Sequence, residues 1–197
     1  SCGKVTTADG REIEFDMNLT MERSYSATRE YEVTEEVVFT DPLMLNFDGN
    51  YADLSDEKFE FDLDADGENE LISYLMGNSG MLALDKNEDG VINDGTELFG
   101  ALSGNGFADL AQYDEDGNNY IDEADSIFAD LKIWTKQQDT DKLESLADKG
   151  IGAIYLGSTE TPFDIKGEDN QQNGRVRSSG IYLTESGNVG TVQQVDM

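Results

Sequence analysis

The sequence predicts an α+β fold in which β-rich N- and C-terminal segments surround a central block of short helices and acidic loops. Apolar and polar residues alternate strictly over residues 11–21, which is typical of a half-buried strand. Residues 96–131 instead contain short apolar stretches separated by Gly- and Asn-rich segments. Acidic residues also recur at every second position beside Gly or Asn, a spacing that favours loops over helix faces.

The strands are predicted on both sides of the central block. Before the block they cover residues 11–21, 30–40, 41–47, 58–63 and 70–76, the last of which could alternatively be a short helix. After it, residues 131–135 and the segments within 151–197 are β-like and are joined by polar turns. We expect the N-terminal and C-terminal strand groups to complete one sheet around the middle of the chain.

The helices are predicted in the middle of the chain. Short helices are expected at residues 96–102, 106–113 and 123–131. A further helix is expected at 141–150, with Leu143 and Leu146 facing inward and Gly150 ending the helix.

The charge balance excludes several function classes. The 197 residues include 43 acidic and 13 basic residues, a net charge of -30, so the chain should repel nucleic acid and anionic membranes. Without histidine the chain has neither a Ser-His triad nor the commonest zinc and copper ligand, and Cys2 is the sole cysteine. No apolar run is long enough to predict a membrane-spanning helix. A solubilising surface would explain the acids alone, but their alternate spacing favours a hard, oxygen-ligated metal, with calcium before magnesium.

Residues 114–125, "DEDGNNYIDEAD", fit a calcium loop best. Calcium takes six to eight oxygen ligands, which a short loop supplies when alternate side chains point inward around a sharp turn. Asn119 stands at the sixth position, where Gly is usual, and Asn tolerates the left-handed conformation. Ile121 is the expected hydrophobic anchor. The predicted ligands are Asp114, Asp116, Asn118, the carbonyl of Tyr120, Asp122 and Asp125.

Residues 85–97, "DKNEDGVINDGTE", form a second, less regular loop. Position twelve is Thr96, and the closing acid, Glu97, comes one residue late. We expect Gly95 to provide the slack that lets Glu97 close the loop. A strand precedes the loop, so the predicted motif is strand-loop-helix. The predicted ligands are Asp85, Asn87, Asp89, the carbonyl of Val91, Asn93 and Glu97.

Residues 62–70, "DLDADGENE", form a third candidate loop between two predicted strands. Asn69 would be a poor anchor at position eight. The candidate ligands are Asp62, Asp64, Asp66, Glu68 and Glu70. Residues 46–50, "NFDGN", are expected to be a turn, with Asp48 as an alternative helper ligand. The three loops predict about two to three bound Ca²⁺ ions.

Five stretches resemble a known family when they are taken in order: "DPLMLNFDGN", "FDLDADGENE", "GMLALDKNEDGVINDGTELFG", "GFADLAQYDEDGNNYIDEADSIFADLKIW" and "LADKGIGAIYL". They resemble the calcium-dependent self-processing module of iron-regulated RTX proteins and its EF-hand-containing bacterial relatives. The resemblance covers residues 41–156. It departs from the family where a further acidic loop would follow the Trp: that segment is short, and Lys136 stands near the expected first Asp. We expect that loop to be lost.

The resemblance implies calcium-triggered folding and, in the processing members, cleavage of the Asp-Pro bond that opens the module. The equivalent bond here joins Asp41 to Pro42, which would be the catalytic residues of self-processing. The cleaved Asp could also be captured by a lysine amine as an isopeptide cross-link. An Asp-Pro pair starts turns well, so a purely structural role is the alternative.

The domain organisation follows from the same ranges. We expect an N-terminal β segment at 1–40, an EF-hand-like calcium-binding module at 41–156 and a C-terminal β segment at 157–197, together forming one compact domain. The predicted function is a secreted or cell-surface bacterial module in which calcium stabilises the fold and orders an interaction surface. Self-processing at Asp41-Pro42 is the alternative, so the sequence favours a binding module over an enzyme. The expected partners are calcium and another protein or cell-surface component, without nucleic acid or membrane insertion.

Overall fold

A computed structural model describes residues 2–6, 12–16, 40–48 and 51–197 of the chain. The chain divides into two compact units, Ser1–Phe39 and Thr40–Met197. In the first unit, strand β1 (Cys2–Thr6) pairs antiparallel with β2 (Glu12–Asp16). The strand predicted at 11–21 is therefore confirmed over residues 12–16. The strand predicted at 30–40 lies outside the described residues, apart from Thr40.

The second unit consists mainly of strands. They are β3 (Leu43–Asn46), β4 (Asp53–Phe61), β5 (Glu70–Met76), β6 (Ser79–Leu84), β7 (Tyr120–Asp122), β8 (Leu131–Gln137), β9 (Thr140–Ser145), β10 (Ile151–Tyr155), β11 (Thr159–Lys166), β12 (Gln172–Thr184) and β13 (Val189–Asp196). The α-helix among the described residues is α1 (Gly106–Leu110). Short 3-10 turns occupy Gly95–Glu97, Ala111–Tyr113 and Ser126–Ala129.

Nine of these strands form one antiparallel sheet. Its order is β7-β10-β12-β13-β3-β6-β8-β9, and β11 pairs with β12 on a separate branch. Strand β3, from the start of the unit, lies between β13, from its end, and β6. The expectation that N-terminal and C-terminal strands share a sheet is thus confirmed for β3 and β13. Strands β4 and β5 form a separate hairpin.

The sheet is buried on both faces, as the alternation within β3 demonstrates. Leu43 and Leu45 belong to one core cluster, whereas Met44 belongs to the other. The first cluster includes Phe107 and Leu110 of α1. The second includes apolar residues of the β4–β5 hairpin. Because both faces are covered, β3 is apolar at consecutive positions, a pattern that fully buried strands share.

The predicted α+β class with a central block of helices is wrong. Residues 96–102 contain only a 3-10 turn, residues 106–113 contain a five-residue helix and a second turn, and residues 123–131 contain a third turn. The acidic loops and glycines leave no stretch long enough to propagate a stable helix. Hydrogen bonds between strands therefore dominate, and the fold is mostly β.

The helix predicted at 141–150 is also wrong. Residues 140–145 form β9, which pairs with β8 so that Leu143 lies opposite Trp134. Leu146 is buried in the turn that follows, and Gly150 adopts a positive φ of 66° there. The spacing of the two leucines suited a helix, but Leu143 packs partly buried on β9 and Leu146 is buried in the following turn, so neither needs one.

The other strand predictions are confirmed. Strands β3 and β4 overlap the predictions at 41–47 and 58–63, which extend at most two residues beyond them. Strand β5 coincides with the prediction at 70–76, and β8 contains the one at 131–135. The C-terminal β-like segments correspond to β10–β13. No helix in the described part of the chain has the length and apolar character needed to span a bilayer.

Candidate cation-binding loops and the Asp41 pocket

Three acidic loops, named here the Asp62 loop (62–70), the Asp85 loop (85–97) and the Asp114 loop (114–125), begin in the same way. In each, the carboxylate of the first Asp accepts hydrogen bonds from the N–H groups of the fifth and sixth residues. The pairs are Asp62 with Asp66 and Gly67, Asp85 with Asp89 and Gly90, and Asp114 with Asn118 and Asn119, over 2.8–3.2 Å. A single turn geometry therefore recurs three times.

The third and fifth side chains of each loop continue this geometry. Each accepts a hydrogen bond from the N–H group two residues further on, which is an Asx turn. The third-position acceptors are Asp64, Asn87 and Asp116, and the fifth-position acceptors are Asp66, Asp89 and Asn118, over 2.6–3.2 Å. These bonds fold alternate side chains toward the inside of the loop.

The fourth and sixth residues of all three loops have positive φ angles. The fourth residues are Ala65 (58°), Glu88 (58°) and Gly117 (71°), and the sixth are Gly67 (92°), Gly90 (82°) and Asn119 (65°). The left-handed conformation costs an ordinary residue about 1–2 kcal/mol. Ala65 and Glu88 adopt this unfavourable conformation because the hydrogen bonds of the Asx turns on either side fix the backbone. The sixth position was predicted from the sequence, but the fourth was not, since nothing in Ala or Glu indicates it.

The acid that closes each loop binds the N–H group of the loop's second residue. Glu70 accepts from Leu63 (2.9 Å), Glu97 from Lys86 (2.9 Å) and Asp125 from Glu115 (2.7 Å). The three closing acids stand at positions nine, thirteen and twelve of their loops. The same contact is therefore reached through three different lengths of chain.

Glu97 occupies the closing position of the Asp85 loop, as expected. It is 4% exposed, and its second oxygen accepts from the N–H of Asn93 at 2.8 Å. Thr96 is exposed and bonds to Asp94 instead. Asp125 is equally buried in its own loop and accepts from Asp122 with its second oxygen at 3.0 Å. Metal ligation by these residues stays a prediction.

Two loops bring three carboxylates together. Ligand oxygens of Asp62, Asp64 and Glu70 all lie within 4.8 Å of one another. The same holds for a set in the Asp114 loop, which consists of Asp114, Asp116 and Asp125. The predicted ligands Asp66, Glu68 and Asp122 stand outside these sets, although Asp122 Oδ2 accepts from Asn118 Nδ2 at 3.2 Å.

In the Asp85 loop, the amide group of Asn87 brings the candidate ligands together by hydrogen bonding. Asn87 Nδ2 donates to Asp89 Oδ2 at 3.0 Å and to Asn93 Oδ1 at 2.7 Å. These three predicted ligands therefore surround one point, but a cation there would require an amide oxygen of Asn87 to face it. The side chain of Val91 is exposed, as expected for a residue that would contribute only its carbonyl.

The anchors of the loops differ as the sequence indicates. Ile92 and Ile121, at position eight of their loops, are buried. Asn69, at the same position of the Asp62 loop, is exposed. Leu63, at position two of the Asp62 loop, is buried and serves as the anchor instead of Asn69. Each loop is therefore tied to the core by one aliphatic side chain.

Gly95 joins the Asp85 loop to the Asp62 loop. Its N–H donates to the carbonyl of Asp62 at 2.8 Å. A Cβ atom at this residue would lie 1.7 Å from the carbonyl oxygen of Leu63. The role expected for Gly95 was slack for Glu97, whereas its position between two backbones shows that glycine is needed there for close approach.

The two remaining acidic segments have structural roles in the described residues. Asn46 is buried and donates to Thr191 and Gln193, so it is a core residue of the sheet. Lys136 forms an ion pair with Asp141 across the β8–β9 hairpin. That hairpin turns directly between Gln137 and Thr140, which leaves no room for the acidic loop that the resemblance would place there.

Asp41 and Pro42 are buried at the start of β3. Asp41 is 2% exposed, and its Oδ2 accepts from Gln194 Nε2 at 3.0 Å, with Arg177 Nε 4.0 Å away. Its Oδ1 is buried without a hydrogen bond from any residue that the structure describes. The carbonyl of Pro42 accepts from the N–H of Val195 at 3.1 Å. The Asp-Pro bond is thus held inside the fold rather than displayed in a loose turn.

A cavity of about 400 Å³, named here the Asp41 pocket, opens beside this carboxylate. It is lined by Asp41, Asn105, Glu160, Arg175, Arg177 and Gln194, among others. Burial, followed by the charge of Asp41, raises the pKa of the neighbouring Asp196 to about 6, while Arg177 and Arg175 act in the opposite direction. The charge of Asp41 therefore disfavours ionisation of Asp196.

The segment Glu97–Gly100 connects the Asp85 loop to the Asp41 pocket. Glu97 closes the loop, and two residues later the carbonyl of Phe99 accepts from the N–H of Leu43 at 2.9 Å. Gly100 follows with a φ of 96°, and a Cβ atom there would lie 2.2 Å from the carbonyl oxygen of Asp41. Only glycine fits this position, since both the angle and the space exclude a side chain.

Residues 43–197 match the SPM domain family model, so the chain belongs to the SPM domain family. A curated relative, iron-regulated protein FrpA of Neisseria meningitidis serogroup C, is 31% identical over 133 residues. The match covers 59% of this chain and 12% of FrpA, so the chain corresponds to a small part of that protein. Both findings confirm the relationship to iron-regulated RTX proteins of bacteria.

Gly95→Ala should destabilise the protein strongly, because the new methyl group meets the backbone of Leu63. We expect a loss of about 3 kcal/mol in the free energy of unfolding, measured by urea denaturation. Gly187→Ala is the control, since Gly187 has a φ of 86° but open space around it, and should cost about 1–2 kcal/mol. Equal losses in the two variants would contradict the close approach.

Asp196→Asn should raise stability at neutral pH. The pKa of Asp196 is about 6 in the folded protein against 3.8 for the ordinary group, so the folded state holds this proton more tightly. The contribution is favourable below about pH 4 and is lost as pH rises through about 6. Thermal melts at pH 4 and pH 7.5 should therefore show a gain for the variant at pH 7.5 only. A gain of equal size at both values would contradict the raised pKa.

Proposed function

We propose that residues 40–197 form a calcium-binding module in which the three acidic loops hold Ca²⁺ in the folded state. The observation that carries the proposal is the convergence of three carboxylates within 4.8 Å in each of two short, hydrogen-bonded loops. Like charges this close repel one another, and a divalent cation offsets that repulsion. Oxygen-only ligand sets of mixed carboxylate, amide and carbonyl type suit Ca²⁺ better than Mg²⁺, which demands a near-ideal octahedron.

Calcium in these loops would stabilise the fold. The carboxylates meet only because the Asx turns and buried anchors position them, so an ion would bind the folded state preferentially. Each independent site would add RT ln(1 + [L]/Kd), which is about 2.7 kcal/mol at a hundredfold excess over Kd. Three ions would also offset six of the thirty net negative charges.

The module is proposed to act outside the cell, either secreted or on the cell surface. Extracellular calcium is plentiful enough to fill weak sites with irregular closing acids. The relationship to an iron-regulated bacterial protein is compatible with this location. The interaction surface that calcium would order is proposed to face another protein or a cell-surface component.

A second proposal is self-processing at the Asp41-Pro42 bond. The observation that favours it is the buried Asp41 carboxylate, whose Oδ1 accepts no hydrogen bond from the described residues and whose neighbour across the scissile bond is Pro42. Membership of the SPM domain family, together with the resemblance to self-processing modules, supports it. The chain contains two prolines, and only Pro42 follows an Asp.

The proposed reaction uses the Asp41 side chain as the nucleophile. One carboxylate oxygen bonds to the main-chain carbonyl carbon of the same residue and closes a five-membered cyclic anhydride. The bond to the Pro42 nitrogen breaks, and the nitrogen keeps the electron pair and takes a proton from water. Water then opens the anhydride to a C-terminal Asp41, or a lysine amine opens it and forms an amide.

The segment Glu97–Gly100 supports a link between the two proposals. An ion in the Asp85 loop would fix Glu97, and the same short segment presses Gly100 against the carbonyl of Asp41. Calcium would thereby order the segment that packs against the carbonyl group of the reacting bond. Fixing reacting atoms in place accounts for large rate effects in intramolecular reactions.

Calcium added to EDTA-treated protein should raise the melting temperature, and calorimetry should count the ions. The Asp114→Ala/Asp116→Ala variant should bind about one ion fewer than the wild type, because it loses two of the three clustered carboxylates of its loop. The control Asp139→Ala/Asp169→Ala removes the same charge from exposed positions outside the loops and should keep the ion count. A melting temperature that calcium leaves unchanged would refute the binding function.

Calcium should also generate two fragments, residues 1–41 and 42–197, which intact-mass spectrometry resolves over time. Asp41→Asn should abolish the reaction because it removes the carboxylate nucleophile, whereas Asp139→Asn, at an exposed position outside the loops, should not. A single full-length mass after prolonged incubation with calcium would exclude self-processing while leaving calcium binding intact.

A further inference from the structure

The Gln194 side chain joins three distant parts of the chain at the Asp41 pocket. Its Nε2 donates to Asp41 Oδ2 at 3.0 Å and to the carbonyl of Gly104 at 2.7 Å. Both hydrogens of the amide are therefore used. Gln194 lies on β13, is 7% exposed, and is 153 residues from Asp41 in sequence. The adjacent Gln193 is fully buried and bonds instead to Asn46 and to the N–H of Ala52.

Strand β13 holds the Asp-Pro bond from both sides. Gln194 binds the side chain before the bond, and the adjacent Val195 N–H binds the carbonyl after it. These two hydrogen bonds restrict the backbone on either side of the Asp41-Pro42 peptide bond. Folding has therefore already removed the conformational entropy that would otherwise be lost when the reacting groups are brought into position.

The hydrogen bond from Gln194 also makes the two oxygens of Asp41 unequal. Oδ2 receives the amide and lies nearer to Arg177, whereas Oδ1 receives no hydrogen bond within the described part of the chain. An oxygen that accepts hydrogen bonds is a weaker nucleophile, so Oδ1 is the oxygen left to attack. Fixing Oδ2 also fixes the rotation of the carboxylate about its bond to Cβ.

We propose that Gln194 is the positioning residue for the Asp41 carboxylate in Asp41-Pro42 processing. The inference rests on the proposed self-processing function and names a residue beyond the Asp-Pro pair itself. Gln194 contributes a hydrogen-bond donor and takes no part in bond making. Its amide holds Oδ2 in place and leaves Oδ1 as the nucleophile.

The first experiment compares processing rates in calcium at one pH for the wild type, Gln194→Met and Gln194→Glu. Both replacements keep the length of the side chain but lose the amide donor. We expect fragments to form about 100-fold more slowly in each variant, the size of effect that a small misplacement of reacting groups produces. Melting temperatures in calcium are recorded for all the proteins.

Gln193→Met is the matched control. It changes the same residue type on the same strand and removes buried hydrogen bonds, but none to Asp41. We expect it to lower the melting temperature as much as Gln194→Met does, or more, and to process at close to the wild-type rate. Equal slowing of both variants would overturn the proposal and indicate a general effect of stability.

A pH series distinguishes positioning from packing. Each variant's rate is divided by the wild-type rate at the same pH, so that titration shared by all the proteins cancels. The relative rate of Gln194→Glu should rise as pH falls, because a protonated Glu regains an O–H donor toward Oδ2. The relative rate of Gln194→Met should stay flat.

The outcomes separate the two proposals. A wild-type chain that stays whole in calcium overturns self-processing and, with it, the role of Gln194. A wild type that is cut while Gln194→Met is cut equally fast overturns the role of Gln194 alone. Slow cleavage in Gln194→Met, with a pH-dependent recovery confined to Gln194→Glu, supports both.

Discussion

The segment Glu97–Gly100 is the constraint on which the other features of residues 40–197 depend. Its first residue closes the Asp85 loop through two hydrogen bonds, and its last residue lies against the carbonyl of Asp41. Four residues span at most about 14 Å, so neither end can move far without the other. Phe99 adds a bond to Leu43 at the start of β3. The sheet, the acidic loop and the Asp-Pro bond therefore share one short, buried piece of chain.

The three loops fall into two groups because of how they are attached. The N–H of Gly95 bonds the Asp85 loop to the backbone of the Asp62 loop, so a shift in the backbone of one loop displaces the other. The Asp114 loop is attached elsewhere: its Ile121 lies on β7, which pairs with β10. An ion in either of the first two loops would thus act on a common unit that reaches Asp41 through Glu97. An ion in the Asp114 loop would act on the edge of the sheet.

Local patterns located most of the strands and the three acidic loops, but neither β9 nor the class of fold. Strict alternation and apolar runs located the strands, and the alternate spacing of acids located the turns that the structure repeats three times. The helices failed because short amphipathic stretches between loops satisfy their apolar residues equally well in turns, and because β9 finds a partner that is invisible in its own sequence. The close approach of Gly95 to the Asp62 loop and the role of Gln194 were not predicted, for the same physical reason. Their contacts join residues that lie about 30 and 153 positions apart, and neither residue type indicates such a contact.

The carboxylates of the loops and the carboxylate of Asp41 differ in what surrounds them, and this difference separates their chemistry. Both oxygens of Glu97 and of Asp125 accept backbone N–H groups, so these acids are held rigidly while their charge remains available to a cation. Asp41 instead accepts an amide hydrogen bond on one oxygen and has a partly exposed arginine 4.0 Å from the same oxygen, which offsets part of its charge. A cation would gain little there. The surroundings of the loop acids therefore suit the proposed cation binding, whereas the buried Asp41 carboxylate, bonded through one oxygen only, suits the proposed attack on its own carbonyl.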